Sequence, residues 1–149
     1  MKKIFYTVLC LLCIATSTEA ANGLISVKSY LTVKQTADKM EGILKEKGMT
    51  IFNRIKHSKA ANKLGHKLRE TELIIFGNPK VGSLLMKCQQ SIGIDLPQKA
   101  LIWQDEKFNV WVSYNNPKYL EKRHEISGCS NVIAKIEKVL AGIISQTVK

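Results

Sequence analysis

The chain is short of the residues that mark most chemistries. Its three histidines, His57, His66 and His124, include no pair at i, i+4 on a helix, so no zinc-ligand spacing arises. No Gly-x-Ser-x-Gly, Walker loop or dinucleotide fingerprint occurs, and nothing in the sequence asks for a metal or a cofactor. Acids are scarce too, with 12 Asp and Glu against 23 Lys and Arg, a formal net charge of +11 that points to acidic partners or surfaces. The apolar run Ile4 to Ala15 is too short to span a bilayer, and no later run approaches the roughly 20 residues that spanning needs. A transmembrane segment is therefore not expected.

What is present at the start is a leader pattern. Met1-Lys2-Lys3 supplies positive charge, Ile4 to Ala15 an apolar stretch and Thr18-Glu19-Ala20 a small-x-small cleavage site, so residues 1–20 read as a secretory signal peptide. A lipid anchor at Cys13 is disfavoured by the large Leu12 before it. Residues 21–149 make one domain, expected in the periplasm of a bacterium or outside it. Its two cysteines, Cys88 and Cys129, then meet an oxidising compartment, where they either form a disulfide or stay as buried, unpaired small residues.

Hydrophobic periodicity gives an alternation of strands and helices. Leu24 to Leu31 reads as a strand with Ile25, Val27, Ser29 and Leu31 facing the core. Thr32 and Gln35 fit a capping box for a helix with stripe Val33, Ala37, Met40 and Leu44. Met49 to Lys56 is a second strand, followed by a short helix capped by Ser58. Leu73 to Phe76, a continuous apolar run, suits a central strand buried on both faces. Gly77-Asn78-Pro79 ends it and caps a helix that runs through Leu85 and Cys88 to near Gly93. Asp95-Leu96-Pro97 then breaks the pattern before a hairpin, Gln98 to Gln104 and Asn109 to Asn115, that brings Trp103 near Trp111. Asn116-Pro117-Lys118 repeats the Asn-Pro-Lys turn, and a last helix covers Ser130 to Ser145. The expected fold is α+β: a two-layer sandwich of one largely antiparallel sheet with its helices on one face, in the order β-α-β-β-α-β-β-α with short helices between.

The candidate site lies where Leu73 to Phe76 feeds a helix. Gly77, Asn78 and Lys80 surround a helix N-terminus, whose unpaired N–H groups favour anions. His57, Tyr114 and His124 lie beside other strand-to-helix turns and would converge on it. Arg54 to Arg69 holds six basic residues and no acid. An exported protein rarely meets nucleic acid, and this segment has no interleaved aromatics for base stacking, so an anionic ligand, lipid or glycan surface is the expected guest.

Together His57-Ser58-x-Ala60, Thr71-Glu72-Leu73-x-x-Phe76-Gly77-Asn78-Pro79-x-x-Gly82-Ser83, Asp95-Leu96-Pro97, Tyr114-Asn115-x-Pro117 and Arg123-His124 resemble the bacterial family known as domain of unknown function 302. The resemblance implies a TATA-binding-protein-like two-layer fold, sometimes dimeric, and no particular activity. Family members often carry an acid where this chain has Lys56 and another where it has Asn116, and a glycine in the hairpin loop where Lys107-Phe108 stands. Three functions follow as expectations: an exported binding module for an anionic ligand, an enzyme with His57 and His124 as acid and base, and a homodimeric assembly protein.

Overall fold

The computed structural model describes Ser17–Glu19 and residues 23–149. Apart from Ser17–Glu19, the expected leader at residues 1–20 lies outside the described residues. The elements follow as β1 (Ser17–Glu19), β2 (Leu24–Ser29), α1 (Val33–Glu46), β3 (Thr50–Lys56), α2 (His57–Lys63), β4 (Thr71–Gly77), α3 (Pro79–Cys88), a 3-10 turn (Gln90–Ile94), β5 (Gln98–Gln104), β6 (Val110–Asn115), α4 (Pro117–Arg123) and α5 (Ser130–Thr147). The strands form one antiparallel sheet in the order β1-β2-β6-β5-β4-β3. The α+β architecture is the expected one, with the short Ser17–Glu19 strand added at an edge.

Alternation along each strand fixes where the core sits. Ile74 and Phe76, Ala100 and Ile102, and Val112 and Tyr114 share one face and pack against Val33, Ala37, Met40 and Leu44 of α1 and Leu140, Ile143 and Ile144 of α5. Each large apolar side chain buried there contributes roughly 2 kcal/mol. Ser29 also points inward, where its hydroxyl bonds the Thr36 hydroxyl at 2.8 Å and leaves no orphan polar group. A second, smaller core joins Leu85 of α3, Ile92 of the 3-10 turn, Leu120 of α4 and Ile133 of α5.

The expectation that β4 is buried on both faces is corrected. Glu72, Ile74 and Phe76 are buried, while Thr71, Leu73, Ile75 and Gly77 are only half-buried, because the described helices gather on the other side of the sheet. On the face away from those helices Trp103 stands directly opposite Trp111. Their indole N–H groups donate to Ser113 Oγ and Asp105 Oδ2, each at 2.8 Å. The Thr32–Gln35 capping box forms as read from the sequence. Helix α3 is shorter than its hydrophobic stripe suggests: it stops at Cys88, and the 3-10 turn carries the chain on to Ile94.

Candidate functional site

The Phe76–Pro79 turn forms as its residues dictate. Asn78 caps α3 by accepting the Lys80 N–H at 3.0 Å, with Pro79 at the first helical position. The second turn is built alike, Asn116 accepting the Lys118 N–H at 2.9 Å. Beside the first turn opens a cavity of about 490 Å³, walled by α3, α5, the Leu96–Pro97 segment and the start of β3. Its lining is chiefly apolar: Phe76, Leu85, Leu96, Val139 and Leu140 among others, with Gly77 and Asn78 at the turn. Among the described residues, Lys135 is the one charged residue in that lining. Phe52 reaches it from the β3 bulge between Ile51 and Asn53.

The six candidate residues do not form one site. Gly77 and Asn78 line the cavity, and Lys80 follows them, exposed, in the first turn of α3. Tyr114 is 6% exposed and belongs to the main core. His57 follows Lys56, which pairs with Glu72, whereas Gly77 pairs with Thr50 at the opposite end of β4. At about 3.3 Å per residue, Glu72 and Gly77 are roughly 17 Å apart along the strand. His124 sits at the Gly77 end, bound to the segment just before β5. The expected pairing of His57 with His124 as acid and base is therefore corrected: the sheet holds them at opposite ends.

His124 has partners that the sequence reading did not assign. Its Nε2 lies 2.6 Å from Asp95 Oδ2 and its Nδ1 3.0 Å from Ser91 Oγ. A carboxylate only accepts, so Nε2 carries the proton and, in the neutral ring, Nδ1 accepts from the serine. Arg123 adds a 3.4 Å contact to Asp95 Oδ1. Serine, histidine and carboxylate in this order resemble an activated nucleophile. Here, though, the apolar cavity uses Gly93 and Leu96 and has none of the three in its lining. The trio clamps the 3-10 turn to the end of α4. The acid that supports a histidine thus comes from Asp95-Leu96-Pro97 and not from the positions of Lys56 or Asn116. The adjacency of that motif to a buried histidine is a contact between distant segments, which no local pattern announces.

The basic connector is less positive in space than in sequence. Arg54 turns toward the helices, its Nη1 2.6 Å from Asp38 and 3.2 Å from Glu41, its Nε 2.7 Å from Glu72. Nη2 also lies 2.6 Å from Glu72 Oε2, an ion pair off the line of a directed hydrogen bond. Burial disfavours the Arg54 charge, and the hydrogen bonds to Asp38 and Glu72 outweigh it, raising its pKa. The Asp38 carboxyl is held below its usual range by Lys34 and then Arg54, that of Glu41 by Lys45 and then Arg54. Lys56, Lys59 and Lys63 border an open cleft of about 530 Å³, but Glu70 and Glu72 line it as well. Its charge is mixed.

Cys88 and Cys129 form a disulfide, with Cα atoms 6.4 Å apart. It ties the end of α3 to the start of α5, the two helices that wall the cavity. In the chain-entropy account, closing a loop of this length stabilises by about 4 kcal/mol.

The family described as "Domain of unknown function DUF302" matches residues 25–143, and the chain belongs to it. A crystal structure of an uncharacterised conserved DUF302 protein from Bacillus stearothermophilus shares the fold, with a TM-score of 0.76 at 17% identity over 84% of this chain and 98% of that one. Over 125 residues, 84% of its length, the chain is 38% identical to proteins named "Fluoride-specific ion channel FluC 1" from Brucella suis biovar 1 (strain 1330) and Brucella abortus biovar 1 (strain 9-941). It covers 49% and 46% of those relatives, about half their length. Among the described residues no helix is long and apolar enough to cross a membrane.

Proposed function

We propose that this member of the DUF302 family is an exported binding module whose ligand occupies the apolar cavity beside the Phe76–Pro79 turn. The cavity carries the reading, since its volume falls in the range of about 300–1,000 Å³ typical of small-molecule sites and it adjoins the most distinctive motif of the chain. Export is supported by the leader pattern and by the Cys88–Cys129 bridge, which persists in oxidising compartments. The separation of His57 from His124 speaks for binding over acid–base catalysis.

The channel relatives fit the same reading. A channel crosses the bilayer with apolar helices or a closed barrel. The stretch they share with this chain folds here as an open sheet with helices on one face, an architecture compatible with a binding domain.

Gly82 tests the cavity. It lines the wall on α3, and a Cβ added there meets only Leu96, at an ordinary 3.8 Å. Gly82→Leu fills the space with a better helix former. An environment-sensitive apolar dye should bind the parent chain and lose at least tenfold in affinity, on the order of 1.4 kcal/mol, in this variant. Equal binding by the two would sink the reading.

A second reading, a homodimer through the open sheet face, is favoured by the apolar row Ile55, Leu73 and Leu101 that crosses it. Sedimentation equilibrium decides it: monomer alone at high concentration removes the dimer.

A further inference from the structure

We infer that the ligand of this cavity is a single-chain amphiphile with one negative charge, a long-chain carboxylate, whose head is held by Lys135. The inference rests on the cavity reading above and adds the chemistry of the ligand. Apolar walls ask for a hydrocarbon chain, and no acid stands among the described lining residues. Lys135 and Val139 are four residues apart on α5, on one helical face, and both line the cavity. The aliphatic stem of a lysine so placed extends the apolar wall while its ammonium group seeks water or an anion. No ion pair joins Lys135 to a carboxylate among the described residues, in contrast to Lys34, Lys45 and Lys118.

A second feature of the same cavity has the same sign. Asn78 and Pro79, both in the lining, form the N-terminus of α3, a ten-residue helix with no acid in its first turn. Its dipole places partial positive charge there. The two features favour an anionic head at this cavity, and one full lysine charge matches a carboxylate better than a doubly charged phosphate. Neutral chains find the apolar wall but no partner for their head.

Competition against the apolar dye separates the possibilities. The competitors are a sixteen-carbon fatty acid (~16, the order of chain length such a cavity admits), the alcohol of the same length and the corresponding monoacyl phosphate, all below their micelle concentrations. The carboxylate should displace dye from the parent chain at least tenfold better than the alcohol. Lys135→Met should erase that preference, so that acid and alcohol displace the dye equally in the variant, and Lys135→Arg should restore it. Equal displacement by acid and alcohol, a preference untouched by Lys135→Met, or a stronger preference for the phosphate overturns the assignment while leaving the cavity reading intact. Absence of dye binding, or dye that no chain displaces, removes both.

Discussion

Asp105 does at one residue what a glycine turn does in other hairpins. One carboxylate oxygen accepts the N–H groups of Lys107 and Asn109, both at 2.8 Å; the other accepts the Trp111 indole at 2.8 Å and the Asn109 amide at 3.0 Å. With the loop so held, Phe108 takes a φ of 61°, a left-handed conformation that side chains rarely adopt. The missing glycine read from the sequence thus has a physical substitute. The Trp111 bond, opposed by partial desolvation and joined by the Asn109 bonds, lowers the Asp105 pKa to about 2. Because the folded value lies below the unfolded one, near 3.9, the carboxylate's stabilisation is complete above about pH 4 and is lost as pH falls through 2. The stability lost in Asp105→Asn should therefore be largest near pH 7 and shrink as pH falls from about 4 to about 2, read by urea denaturation followed by Trp fluorescence at each pH. A constant offset across that range would show that the carboxylate is not coupled to folding.

At the scale of elements, helix beginnings were legible in the sequence and side-chain partnerships were not. Thr32 with Gln35 and Asn78 with Pro79 act within three residues, so local chemistry announces them. Ser58, read as a cap for α2, instead accepts the Thr71 N–H at 3.3 Å, a bond between separate elements. Arg54 is the clearest case. Read along the chain it belongs to a basic run; in the fold it joins α1 to β3 and β4 through three acids, and its side chain is 17% exposed beside a Glu72 that is 10% exposed. Removing one partner of so buried a pair leaves the other charge stranded. Arg54→Met should cost about 3 kcal/mol, and the double variant Arg54→Met, Glu72→Leu should recover most of it. Equilibrium urea denaturation reads both. If the single variant costs less than about 1 kcal/mol, the cluster is no more than a surface ion pair.

Over the whole molecule the two faces of the sheet divide the work. The helix-covered face holds the core and, at one end, the cavity, whose far walls are not local to the turn: Phe52, Leu96 and Lys135 come from segments far apart in sequence, which is why the Gly77-Asn78-Pro79 motif marked the place and gave no hint of its apolar character. The other face departs from the usual antiparallel pattern of apolar residues inward and polar residues outward. Ile55 pairs with Leu73 and Leu73 with Leu101, and Trp103 with Trp111 forms the next cross-strand pair, all half-buried with no helix over them among the described residues. On the dimer reading proposed above, this apolar surface is the interface, covered by a second copy of the chain through a two-fold axis. A stable interface of that kind buries about 800 Å² per partner. Sedimentation equilibrium should accordingly give a dimer, and Leu101→Lys, which sets like charges at the centre of the face, should return monomer with secondary structure unchanged. Dimer that survives Leu101→Lys places the contact on a strand edge, and monomer in the parent chain leaves the face to solvent.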